Sequence, residues 1–344
     1  MKLLSIGAAA LTLSGFAVAS ETDYSSFDRD IEALVSGQMD NAGPHISGYM
    51  QINYSNSGDE VFSGAPGVDL GGFTVPRARL SFTGEHNDYG YKLQLDTAKT
   101  NILLDAYVDV PVNNFGVRAG LFKAGISRNG LNSSSKLFFI NRSQIGDLFD
   151  NRDAGAMLSG SMDQLNWALT VQNGGDGVAD ELRIAGRVAF DFMGNGIGKV
   201  EGAYGGPDEM SGTVALAMYD DGTFNDGTGT LVEAHVVSSQ YSFGAEILDT
   251  DIDGVSAAPG TSLLSGDTTA FSVYGTYMMT PDQWEVGVRF QDMDDAASTS
   301  ALEVGVNRYL DGHDLKYSFG YMTISSDDNT VEGDLIQVQL QVGF

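Results

Sequence analysis

The chain has no cysteine, only seven prolines, and 18 lysines and arginines against 46 aspartates and glutamates, a formal charge of -28 over 344 residues. Each shortage excludes something. Without cysteine there is no disulfide framework, so an exported chain must hold itself together by sheet closure and packing. The acidic balance excludes nucleic acid as a partner, because a phosphate backbone is gripped by a basic footprint. Past the first 19 residues there is no apolar run of about 18 residues, the length a spanning helix needs, so membrane insertion would have to use a barrel. No set of nucleophile, base and orienting group emerges: of His45, His86, His235 and His313, only His235 shares a strand face with an acid, Glu233. The chain is therefore expected not to be an enzyme and to need no cofactor.

What is present begins with an export signal. Met1 and Lys2 give a positive start, the stretch from Leu3 to Phe16 is apolar or small, and Ala17-Val18-Ala19 has the small-x-small form of a cleavage site. Residues 1–19 read as a removable signal peptide. Residues 20–45 read as a periplasmic N-terminal segment in which Ile31, Leu34, Val35 and Met39 have helical spacing, with a loose leader as the equal alternative.

Residues 46–344 alternate with the period of strands. The chain end is clearest: Ile336, Val338, Leu340, Val342 and Phe344 fall on one face and Gln337, Gln339, Gln341 and Gly343 on the other. Such a strand suits a wall between lipid and water. Period-two scanning gives sixteen strands, near 46–54, 72–84, 89–97, 102–110, 115–123, 153–161, 164–173, 181–191, 211–219, 230–238, 240–249, 269–279, 283–292, 301–310, 313–323 and 334–344. Short connections alternate with long ones, as in an outer-membrane barrel with both termini periplasmic. One connection breaks the rule. Residues 192–210 are long where a short turn is due, so that segment either folds inward or hides a miscounted hairpin. The fold class expected is all-β, a sixteen-stranded antiparallel transmembrane β-barrel.

The charges are segregated. From Arg77 to Arg152 there are ten Lys/Arg against seven Asp/Glu, whereas from Val200 to the end there are three against 24. Alternation turns Arg77, Arg79, Lys92, Arg118, Arg183, Arg187, Arg289 and Lys316 into the lumen, since a charge facing lipid at the midplane costs about 2–4 kcal/mol. Two readings of these cations stay open, a selectivity ladder or a wall salt-bridged to Asp96, Asp105, Asp109, Glu181 and Asp191.

The segment GFTVPRARLSFTGEHNDYGYKLQLD from Gly72 to Asp96 resembles the phosphate-selective porin O and P family of Gram-negative outer membranes. LLDAYVDV from Leu103, VRAGLFKAGIS from Val117, SSSKLFFINRS from Ser133, TPDQWEVGVRF from Thr280 and VNRYLDGHDLKYSFGY from Val306 extend the likeness over most of the chain. The resemblance implies a barrel, typically trimeric, whose lumen is narrowed by inward-folded loops and lined by basic residues that conduct anions. It makes the connection 124–152 the constriction loop, with Arg128, Lys136, Arg142 and Arg152 as its cations. The acid excess departs from the family pattern, so a general diffusion pore for small hydrophilic solutes is expected rather than phosphate specificity. Lipid and lipopolysaccharide, the barrel-assembly machinery and further copies in a homotrimer are the implied partners. The competing expectation is a structural or adhesive surface barrel with cation-binding acidic loops. Asp249, Asp251 and Asp253 have the D-x-D-x-D-G spacing of a calcium loop, although Gly260 stands where the closing glutamate belongs.

Overall fold

The computed structural model describes residues 44–59, 62, 70–174, 182–221, 227–252, 266–295, 298–327 and 332–344. The expected signal peptide, the Ile31–Met39 helix, Glu181 and Asp253 lie outside the described residues. Sixteen strands follow in chain order: β1 His45–Ser57, β2 Leu70–His86, β3 Tyr89–Asp96, β4 Leu103–Val112, β5 Phe115–Lys123, β6 Arg152–Met162, β7 Leu165–Gln172, β8 Arg183–Met193, β9 Ser211–Asp220, β10 Thr228–Val237, β11 Tyr241–Ile252, β12 Gly266–Thr280, β13 Trp284–Asp292, β14 Ser300–Asp311, β15 Leu315–Ser325 and β16 Gly333–Gly343. Each pairs antiparallel with its sequence neighbours, and β1 pairs with β16 to close the barrel. Closure removes every free edge, which is what lets backbone amides enter hydrocarbon.

The two faces of the wall separate by chemistry. Leu216, Val232, Ile247, Val288 and Phe319 point outward and are exposed, as are Val338 and Val342 on β16. The inner face is polar, and at the closing seam it zips up by side chains. Gln51, Asn53 and Ser55 of β1 stand opposite Gln341, Gln339 and Gln337 of β16. Gln51 Nε2 donates to Gln341 Oε1 at 2.7 Å, Gln339 Nε2 to Asn53 Oδ1 at 2.9 Å and Gln337 Nε2 to Ser55 Oγ at 3.1 Å. Aromatic rings gather on the outer face toward the rims, with Tyr54 on Phe73 at 5.1 Å and Phe115 on Trp167 at 5.7 Å, as an interfacial girdle requires.

One rim is built from tight turns, most of which use a left-handed residue that only Asn, Asp or Gly supplies cheaply. Asn87, Asn113, Asp163, Asp282 and Gly312 have φ between 52° and 56° there. The long connections leave the opposite rim, with one exception, residues 194–210 between β8 and β9.

Candidate functional site

The barrel is not an empty tube. Residues 124–151, between β5 and β6, carry two short helices, α1 Arg128–Leu131 and α2 Gln144–Leu148, and a 3-10 turn at Ser134–Lys136. Ser127 and Ser143 cap α1 and α2, accepting from Gly130 N and Gly146 N, and both hydroxyls donate to the same carboxylate, Glu246 on β11. Glu233 on β10 accepts from Arg128 N at 3.0 Å. Two inward carboxylates thus hold the positive ends of two short helices against the wall.

Between the helices, Leu137, Phe138, Phe139 and Ile140 are buried against β12 to β15. Their seat is a row of inward glycines in register across three strands, Gly287, Gly305 and Gly320. A Cβ at Gly287 would lie 2.6 Å from Phe138 Cε1, and one at Gly305 2.9 Å from it. The carbonyls of this stretch are satisfied from the wall: Lys316 Nζ donates to Leu137 O at 2.6 Å, Asn307 to Phe138 O at 2.8 Å, and Arg289 to Asn141 O and Arg142 O at 3.1 Å. Arg289 and Lys316 do face inward, but as anchors of this segment. A second, dry cluster of Ile126, Ile145 and Phe149 packs on Tyr219, Leu231 and Leu248. This side of the lumen is closed by apolar burial, at about 1.5–3 kcal/mol for each large side chain.

The exceptional connection 194–210 folds inward and meets that segment. Glu201, fully buried, accepts from Phe138 N at 3.0 Å, Phe139 N at 3.3 Å and Asn129 Nδ2 at 2.8 Å, and lies 3.7 Å from Arg289. Glu201 N donates to Lys136 O at 3.0 Å. Ala203 N donates to Glu285 Oε1 at 2.6 Å, and Tyr204 stacks on Tyr309 at 4.2 Å. Gly202 must be glycine, because its φ is +92° and a Cβ would sit 2.8 Å from Glu285 Oε1.

Open space remains on the β2 to β6 side. A cavity of about 450 Å³ is lined by seven cations, Arg79, Lys92, Arg118, Lys123, Lys136, Arg152 and Lys199, against one carboxylate, Asp105. It shares Arg79 and Arg152 with a cavity of about 510 Å³ that also holds Arg77 and Lys99. That cavity in turn shares Arg77 and Asp147 with a third, of about 270 Å³. Most wall cations are paired: Arg79 with Asp96 at 2.9 Å, Lys92 with Asp105 at 2.7 Å, Arg152 with Asp105 at 3.1 Å, Arg118 with Asp109 at 2.7 Å, and Lys123 with Asp150. Lys136 and Lys199 have no carboxylate within 4.0 Å among the described residues, nor does Arg77, which donates to Gln51 at 2.9 Å. The side is therefore both a salt-bridged wall and a basic surface, because the cavity's cations outnumber all their acidic partners.

The other sequence-selected cations lie elsewhere. Arg142 is buried and donates to Asn129 O, Asn132 O and Ser134 Oγ, with Asp150 at 3.1 Å, so it staples the segment to itself. Arg128 donates to Gly198 O at 2.6 Å and Val200 O at 2.5 Å. Arg183 pairs with Asp221 at 2.6 Å, and Arg187 bonds Glu233 and Ile126 O. Burial raises the pKa of Asp150, but Lys123, Arg142 and Arg152 outweigh it and hold the carboxyl down at about 2. Asp249 and Asp251 are exposed on the outer face of β11, and no group of three or more ligating side chains that could hold a metal ion occurs among the described residues. Sequence reasoning missed Lys199, Glu201 and the glycine row. The six glycines of the 194–206 stretch, GNGIGKVEGAYGG, were the available signal for the first two.

The family model described as phosphate-selective porin O and P matches residues 57–195. No curated protein sequence matches the chain. Among solved structures, OmpT, an outer membrane protein of Vibrio cholerae, in its trimer form, has a TM-score of 0.58 at 10% identity, over 88% of this chain and 99% of its own. A triple mutant of the Rhodopseudomonas blastica porin has a TM-score of 0.55 at 17% identity, over 88% of this chain and all of its own. These likenesses show the fold. With the family signature over residues 57–195 and a closed sixteen-stranded wall that is apolar outside and polar within, the chain is an outer-membrane porin that is similar over those residues to the phosphate-selective porin O and P family.

Proposed function

We propose that the protein is a passive diffusion channel for small hydrophilic solutes that prefers anions, and that solutes pass along the β2 to β6 side of the lumen. The supporting observation is the basic lining shared by two adjoining cavities, with Arg79 and Arg152 at their junction. A row of cations replaces part of an anion's hydration by charge-assisted contacts, each weak enough to release it. Residues 124–151 act as the constriction loop. The acid excess of the C-terminal half does not oppose this reading, because the inward carboxylates Glu233, Glu246, Glu285 and Glu303 are buried in anchoring contacts away from that lining. The OmpT structure is a trimer form, which supports a homotrimer here, embedded in outer-membrane lipid and lipopolysaccharide.

Planar-bilayer recording tests the reading. Discrete open-channel steps are expected, with a reversal potential under a salt gradient on the anion side. Cation preference would defeat the anion assignment. Well-folded protein without steps would favour a surface barrel. A general anion pore further predicts that phosphate leaves most chloride current unblocked.

A further inference from the structure

We infer that Lys199, carried into the lumen by the connection between β8 and β9, is a selectivity residue of the basic passage. The inference rests on the channel reading above and names a residue from the opposite rim to the constriction loop. Lys199 lines the same cavity as Lys92, Arg118 and Lys136. Its backbone is fixed on both sides. The guanidinium of Arg128 donates to the carbonyls of Gly198 and Val200, the two neighbours of Lys199, so the side chain between them has a set origin. One residue further on, the Glu201 amide is bonded to the carbonyl of Lys136, which ties this lysine of the 194–210 connection to a lysine of the 124–151 segment.

The charge at Lys199 is uncompensated. Arg118 and Lys92 have Asp109 and Asp105 as partners, whereas Lys199 has no carboxylate within 4.0 Å among the described residues. Enclosure in the lumen and then the Arg118 and Lys92 charges lower its pKa from the ordinary lysine value. An ammonium in that position is relieved by an incoming anion, and its cationic neighbours add to the same attraction. Cations already neutralised by bonded carboxylates contribute less to the field in the passage than an unpaired one, so the short Gly-rich connection has leverage over selectivity out of proportion to its size.

Because the chain has no cysteine, Lys199→Cys gives a single addressable thiol. The test measures reversal potential in a KCl gradient for wild type, Lys199→Gln, Lys199→Glu and Lys199→Cys, with Arg308→Gln as control. Arg308 lies against Trp284 outside the lumen. The expected result is a several-fold fall in the chloride to potassium permeability ratio for Lys199→Glu and a smaller fall for Lys199→Gln. Lys199→Cys should regain the wild-type ratio with a cationic thiosulfonate and move further away with an anionic one, while Arg308→Gln stays at wild type. The thiol measurements use protein already folded in the bilayer, so they stand if Lys199→Glu fails to assemble. An anion-selective wild type whose ratio is unmoved by either adduct overturns the Lys199 assignment and leaves the channel reading intact. A wild type without anion preference overturns the anion reading itself.

Discussion

A single carboxylate shows how the infolded segment 124–151 is held. Asp150 stands among Lys123, Arg142 and Arg152, which bring its pKa to about 2, below the ordinary 3.8. A carboxyl with a depressed folded pKa stabilises the folded arrangement fully above its unfolded value and loses that contribution as pH falls through the folded one. The three cations would then repel one another. Channels should become noisier or close between about pH 4 and pH 2, and Asp150→Asn should lack this step while being less stable at neutral pH. Single-channel recording across that range checks it, and an unchanged step in Asp150→Asn would refute the assignment. The cations of residues 77–152 were visible as a cluster in the sequence. What each one does was not, because that depends on the nearest acceptor, which is the segment's own backbone for Arg142 and Asp96 across the strand pair for Arg79.

At the scale of elements, strands were legible and the seats of the two infolded segments were not. A strand announces itself by alternation, since one face meets lipid and the other water along its whole length. The seat of a loop has no such period. Gly287, Gly305 and Gly320 read in sequence as ordinary small residues inside VGV, VGV and FGY runs, and only the register of β13, β14 and β15 aligns them into a trough for Phe138 and Ile140. Gly287→Leu should force Phe138 out of that trough, an overpacking cost of about 1–3 kcal/mol. The barrel is expected to assemble normally with a larger single-channel conductance. Conductance at the wild-type value, with the folded species intact on unheated gels, would show that Phe138 does not govern the width of the passage. The long connection at 194–210 was recognisable as an anomaly of length, and its infolding follows from buried Glu201 meeting backbone amides of the opposite segment.

The barrel of residues 45–344 is a lipid-facing cylinder whose interior is divided by charge. The carboxylates of β10 to β14 anchor the infolded segments, and the cations of β2 to β6 face the remaining space. Outside, Leu216 sits mid-strand on β9 and is exposed. Leu216→Arg should cost about 2–4 kcal/mol of folding stability in bilayers if that position lies at the midplane. Denaturant titration of folding into lipid vesicles measures it, and a cost near zero would mean that this part of the wall is covered by protein rather than lipid.

Taken alone, the sequence determined the wall: sixteen strands, their order, which face meets lipid, and the terminal DLIQVQLQVGF strand that seals against β1. These follow from a period of two, a local property written into every few residues. Only the tertiary structure decided what lies inside the wall. Glu246 captures two helix caps, Arg128 fixes the backbone on both sides of Lys199, and Glu201 joins segments from opposite rims, all between residues more than 60 positions apart. No local pattern encodes such contacts, because they depend on closure of the barrel to bring distant inner faces within hydrogen-bonding reach.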